Sequence, residues 1–258
     1  MTVAPTSRKP SGKIRLPLRR RKRRAGERAG LRKEKIIEVA TRLFERTDAQ
    51  GLSIRALAKA LGVVPTTVKS HFKGALSEIT TAIARAAIVG AAHPYEPRET
   101  PADYLGDVFY GILQRLHGRP MVARLVAIEL SRDPLLDPSL AERILVCVRE
   151  LGAEAEYLHR GLSHVIARLV SLLLAESVRS GEAGQRAQAA IMALRIEQLP
   201  AGEFPVLTEY ATTIVNSVRW LAAPPSPAIA HEHAMATIEL LRMEIGQARL
   251  PPRQRRRS

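Results

Sequence analysis

The segment Gly51-Leu-Ser-Ile-Arg-Ala-Leu-Ala-Lys-Ala-Leu-Gly-Val63, followed by Val64-Pro-Thr-Thr-Val-Lys-Ser-His-Phe72, carries most of the structural information in this chain. Ser53 is a side-chain acceptor just ahead of an apolar periodic run, and it reads as a helix N-cap. Ile54, Leu57, Ala58 and Leu61 then recur at i, i+3, i+4 and i+7, and Gly62 ends the run. Pro65 suits the first turn of a further helix that continues through Phe72, with Val63, Val68 and Phe72 facing inward. The small Ala58 lets the two short helices approach closely. The second helix is left with a polar outer face of Thr66, Thr67, Lys69, Ser70 and His71. That face has the size and the donors to enter a major groove, so the spacing predicts a helix-turn-helix.

Outward from this pair, Ile36, Ile37, Ala40, Leu43 and Phe44 form one stripe and predict a helix over 31–46. Asp48 to Gly51 reads as a turn. Ile79, Ile83 and Ala87 predict a fourth helix over 76–91, and His93-Pro-Tyr-Glu-Pro97 with Pro101 marks a boundary. Beyond it, breakers delimit helices expected at 102–117, 120–131, 139–157, 162–180, 185–198, 205–222 and 229–247, with Ser139-Leu-Ala-Glu142 as a capping box. No alternating strand pattern exceeds four residues. The expected fold is all-α: a three-helix helix-turn-helix domain at 31–91, then a larger helical domain at 92–248.

Charge sits at the two ends. Residues 1–33 hold 13 Lys/Arg against Glu27, and residues 249–258 hold five Arg and no acid, whereas 34–248 carries a net −2. Residues 1–30 have almost nothing to bury and read as a disordered basic arm, densest at Arg19, Arg20, Arg21, Lys22, Arg23 and Arg24. Such an arm suits DNA phosphates or a minor groove, the alternative being a solubilising tail, and 249–258 forms a second basic tail. The single Cys147, in the apolar run 144–148, predicts a buried inert thiol and fits a reducing cytoplasm. No secretory signal is expected behind the basic N-terminus, and no apolar run reaches the roughly 20 residues needed to span a bilayer, so no membrane partner is expected. No Gly-rich phosphate loop, Gly-x-Ser-x-Gly or His-Glu-x-x-His motif points to an enzyme. Neither a cofactor nor a metal is expected, because His231 and His233 diverge on a helix.

The pattern of Phe44, then Gly-Leu-Ser-Ile-Arg from Gly51, Leu-Ala-x-x-Leu-Gly-Val from Leu57, and Val68 with His71-Phe72, resembles the TetR family of regulators. Over Gly51 to Lys73 it is most similar to the tetracycline-repressor class. The resemblance implies that Ser53 also touches a phosphate and that Arg55 reaches a guanine edge. It implies base or phosphate contacts for Thr66, Thr67 and Ser70, a phosphate contact for His71, and a basic role for Lys73 beside Lys69. Three positions depart from the family pattern: Val64 where Ser often caps the recognition helix, Lys69 where Tyr is common, and Ala75 where Lys is common.

Two further expectations concern the remaining two-thirds, for which the family resemblance implies a ligand-binding and dimerisation domain at 92–248. Leu207, Tyr210, Ile214, Val218 and Leu221 form one stripe, and Ala234, Ile238, Leu241 and Ile245 another; paired with a second copy they would make a four-helix bundle. The resemblance implies such a homodimer, matched to a palindromic operator. It also implies a pocket for a small-molecule effector, for which Tyr104, Phe109, Tyr110, His117, Tyr157, His159 and Trp220 are candidate liners. No His falls between Val122 and Glu129, which disfavours a magnesium–tetracycline ligand. The expected function is a ligand-responsive, nucleoid-associated repressor in the cytoplasm. The alternatives are a non-specific DNA binder driven by its basic tails, or a small-molecule binder whose DNA role has lapsed.

Overall fold

The structure is a computed structural model that describes residues 32–72, 75–96, 98–178, 182–200, 202–211 and 224–248. All regular structure among the described residues is helical. The order is α1 (Lys33–Gly51), α2 (Ile54–Leu61), α3 (Pro65–His71), α4 (Leu76–Ile88), α5 (Pro101–Leu116) and α6 (Pro120–Arg132). It continues with α7 (Pro138–Glu150), α8 (Ala155–Ser177), α9 (Glu182–Glu197), α10 (Pro205–Glu209) and α11 (Pro227–Ala248).

Several boundaries differ from the sequence reading. The turn expected at Asp48–Gly51 stays helical, and α1 ends only where Leu52 turns into the core at 2% exposure. Gly51 is demanded there by space, because a Cβ would stand 2.2 Å from Thr47 Cβ. The helix expected at 139–157 stops at Glu150 and the next begins at Ala155, because Gly152 takes φ +83 and turns the chain. The capping box at Ser139–Glu142 is not formed. Asp137 caps α7 instead, its carboxylate accepting from Ser139 N at 3.2 Å with Pro138 in the first turn.

The core is built on α5. Tyr104, Leu105, Val108, Phe109, Ile112 and Leu116 are fully buried, and α11 lies along this helix. Gly106 allows that closeness, since a Cβ would sit 3.2 Å from His231 Cα. On α11 the stripe of Ala234, Ile238, Leu241 and Ile245 is 0–7% exposed. Within the chain this stripe packs against α5 and α8. Of the other expected interface residues, Tyr210 is exposed after α10, the side chain of Leu207 is not described, and Ile214, Val218 and Leu221 lie outside the described residues.

The second layer pairs α6 with α8, with α7 against α8. Tyr157–Ser177 is long and apolar enough by length and composition to cross a membrane, contrary to the expectation from the sequence. Its Leu162, Val165, Ile166, Leu169, Leu172 and Leu173 are buried in the protein, so its apolarity serves the core. Cys147 is fully buried as expected, and desolvation pushes its thiol up to about 12.

Candidate nucleic-acid interface

The helix-turn-helix begins at Ser53, whose extended backbone (φ −137, ψ 156) and Oγ, accepting from Ala56 N at 3.1 Å, start α2. Leu57 and Ala58 are buried beneath it. At the other end Gly62 adopts φ +66 and ψ 27. Gly62 N donates to Lys59 O at 3.2 Å and Val63 N to Ala58 O at 3.0 Å. These are the two bonds of a Schellman motif, in which a left-handed residue closes the helix and redirects the chain. The turn between the helices is thereby fixed by backbone hydrogen bonds and not by side chains.

Pro65 opens α3, and Val64 caps it through its backbone alone, Val64 O accepting from Thr67 N at 2.9 Å. Val68 and Phe72 are sealed inward at 0% and 1% exposure. Lys33 Nζ lies 5.0 Å from the Phe72 ring centroid, a cation–π contact that ties α1 to the end of α3. Thr66, Lys69 and Ser70 are exposed, while Thr67 and His71 are half-buried. Ser70 Oγ donates to Thr67 O at 2.7 Å, which orients the hydroxyl and leaves its lone pairs outward. Arg55 is exposed on the first turn of α2. Lys73 lies outside the described residues, as do the basic arm at Arg19–Arg24 and the tail at 249–258.

The electrostatics are one-sided. From Ala49 to Ser77 the chain contains no Asp or Glu, but it carries Arg55, Lys59, Lys69 and Lys73. Among the described residues no salt bridge engages Arg55, Lys59 or Lys69. Cations held free of internal partners can neutralise phosphates without first breaking an ion pair. Sequence reasoning passed over Lys59 and gave Val64 only as a missing cap. Val64 is 44% exposed beside this polar face, where an isopropyl group can meet a thymine methyl. Its exposure depends on how α2 and α3 cross, which composition does not reveal.

Behind the helix-turn-helix, α1 and α4 pack on α6. Thr81 Oγ1 donates to Glu129 Oε2 at 2.9 Å, linking α4 to α6. Arg119 Nε donates to Glu45 Oε1 at 2.5 Å, linking the start of α6 to α1. Arg115 donates to Val89 O and Gly90 O at 2.7 and 2.8 Å, capping the end of α4.

The expected ligand liners are dispersed in character. Tyr104 and Phe109 are fully buried, and Tyr104 OH donates to His93 O at 3.0 Å, with burial pushing its phenol up to about 12. Tyr110 is half-buried and accepts from Gln114 Nε2 at 3.2 Å. His117 sits at the end of α5 with Nδ1 3.0 Å from Glu176 Oε1. Tyr157 is half-buried with Arg160 5.5 Å from its ring centroid, His159 is exposed, and Trp220 lies outside the described residues. A cleft of 690 Å³ lies elsewhere, between α1 and α4, lined among others by Ile37, Phe72, Thr81 and Arg85.

No protein-family model matches the chain, and no curated protein does. Solved structures do. ActR from Streptomyces coelicolor, a TetR family protein in complex with actinorhodin, superposes with a TM-score of 0.68 at 20% identity, over 85% of this chain and 99% of that one. A possible TetR family transcriptional regulator from Streptomyces coelicolor A3(2) gives a TM-score of 0.57 at 19% identity, over 84% and 99%. BioQ with its double-stranded DNA operator gives 0.50 at 16%, over 74% and 98%. The described helices therefore carry the fold of the TetR-family regulators. In that fold α2 and α3 form the helix-turn-helix and α5 to α11 form the helical body.

Proposed function

We propose that this chain is a DNA-binding transcriptional regulator. In this reading a homodimer occupies a palindromic operator through α2 and α3 and is released when a small molecule binds the helical body. The observation that carries it is the helix-turn-helix itself: α3 held by a backbone-locked turn, with exposed Thr66, Lys69 and Ser70 in a stretch without acids. Arg55 supplies the base-reading fork and Ser53, Thr67, His71 and Lys73 the phosphate contacts. The arm at 1–30 adds sequence-independent affinity.

A second copy would meet the outer faces of α8 and α11, where Leu174, Met235, Leu240 and Met243 are 37–55% exposed. Apolar side chains in solvent along two long helices support self-association there. Release requires the effector to prefer a spacing of the two helix-turn-helix units that the operator does not fit.

The test is selection of genomic fragments at about 0.15 M salt with the full chain and with a chain beginning at Leu31. Enrichment of one palindrome by both supports the reading, the arm then adding affinity only. If neither enriches a motif while the full chain still retards DNA, the protein is a non-specific binder driven by its tails.

A further inference from the structure

The connection between α4 and α5 brings three metal-ligating side chains together that no motif in the sequence announces. His93 and Glu99 lie on the connection and Asp107 on the second turn of α5, and their ligand atoms all fall within 4.8 Å of one another. His93 Nε2 and Glu99 Oε1 are 2.8 Å apart. The scaffold around them is braced. Tyr104 OH donates to His93 O at 3.0 Å, and the two rings meet edge-on at 5.2 Å between centroids. Tyr95 OH donates to Glu99 O at 2.9 Å, Glu96 N donates to Glu99 Oε2 at 3.2 Å, and Arg143 donates to Ala92 O.

Arg143, whose charge reaches Tyr104, donates to Ala92 O and forms no ion pair with either carboxylate. Among the described residues no Lys or Arg pairs with Glu99 or Asp107. Two carboxylates and one imidazole thus face each other, with the His93 and Glu99 side chains 40% and 27% exposed, so an ion can enter from solvent.

We propose that His93 Nε2, Glu99 and Asp107 bind a borderline divalent transition ion, for which Zn²⁺ is the probe. The imidazole argues against Ca²⁺ and Mg²⁺, which take oxygen ligands. Three protein ligands leave a solvent position, as in open zinc sites. Tetrahedral Zn²⁺ at ordinary bond lengths places its ligands about 3.4 Å apart. Rotation of the exposed Asp107 carboxylate closes the widest gap, while the His93–Glu99 pair opens slightly. The ion takes the Nε2 lone pair with the ring proton on Nδ1, so any proton shared between Nε2 and Glu99 passes to solvent. Once bound, the ion ties the connection after α4 to α5. The site stands apart from the DNA-binding reading, because it is measured without DNA.

The experiment is calorimetric titration of the metal-free full chain with ZnCl₂ at about pH 7.5, with Co²⁺ visible absorption as a second probe. One saturable Zn²⁺ per chain is expected, with a rise in melting temperature. Asp107→Asn is expected to weaken it by about 10-fold or more, and its metal-free melting temperature should match the parent's because no ion pair among the described residues uses Asp107. His93→Ala should do the same to binding. His164→Ala, which breaks the separate His164–Glu244 pair at 3.0 Å, should leave it intact. The proposal is overturned if Zn²⁺ gives no saturable heat, or if Asp107→Asn binds it as tightly as the parent.

Discussion

At the level of single residues, Gly62 and Arg55 have opposite places in the helix-turn-helix. Gly62 sits at φ +66, where a side chain clashes with its own backbone, yet no atom lies within 4 Å of the position a Cβ would take. The cost of substitution is therefore backbone strain alone. Gly62→Val should destabilise the fold by about 1–2 kcal/mol, a fall of about 2–4 °C in melting temperature per kcal/mol for a chain of this size. Thermal unfolding followed by circular dichroism reads it directly, and an unchanged melting temperature would show that the turn does not need its left-handed residue. Arg55 is the converse: exposed and unpaired among the described residues, it contributes little to stability. Arg55→Ala should leave the melting temperature in place and weaken binding to the selected operator by about 1–3 kcal/mol, with discrimination lost at one base pair. A uniform loss across all sequences would instead assign it to a phosphate.

Caps and close approaches act at the scale of elements. Two of the N-terminal helices, α3 and α4, start without a side-chain cap, at Val64 and Ala75. Their stability comes from Val68, Phe72, Ile79 and Ile83, all within 1% of full burial. By contrast α7 depends on Asp137, which is 6% exposed and occupies its N-cap. Asp137→Ala should cost about 1 kcal/mol, and Asp137→Asn, which keeps the acceptor oxygen, should recover most of it in denaturant titrations. The glycines between helices matter for a different reason. A Cβ on Gly161 would stand 2.4 Å from Val148 Cγ1, so the α7–α8 contact requires its absence.

Across the whole molecule, one half-buried histidine contributes a pH dependence to stability. His233, on α11, has its pKa lowered from 6.5 to about 4, first by desolvation and then by the charge of Arg168. The fold therefore holds the neutral ring. Between pH 6.5 and about 4 the unfolded chain binds a proton that the folded chain does not, so stability rises with pH through this window. Its contribution is complete above 6.5 and is progressively lost as the pH falls towards 4. His233→Gln should therefore show a smaller drop in melting temperature between about pH 7.5 and pH 5 than the parent. An equal drop in both would place the dependence on carboxylates elsewhere.

How much of this was legible in advance follows from the range of the forces involved. The helix-turn-helix was readable because its determinants are local: Ser53, Gly62 and Pro65 set starts and stops within a few residues, and the 3.6-residue period assigns Leu57, Val68 and Phe72 to the inside. The all-helical class followed from the same periodicity. What stayed hidden depends on which helix meets which. The apolar stripe of α11 is equally compatible with a partner copy or with α5, and only the packing at Gly106 and His231 assigns it to the chain's own core. The break at Gly152 was invisible because a glycine within a helical pattern takes φ +83 only when the flanking helices demand the turn. His93, Glu99 and Asp107, spread over a proline-rich connection and a helix, had no common period. The sequence by itself determined the helices and the helix-turn-helix, through interactions spanning a turn or two; the tertiary structure decided the partners of each apolar face and the convergence of His93, Glu99 and Asp107, because those depend on contacts between residues outside one another's local turn.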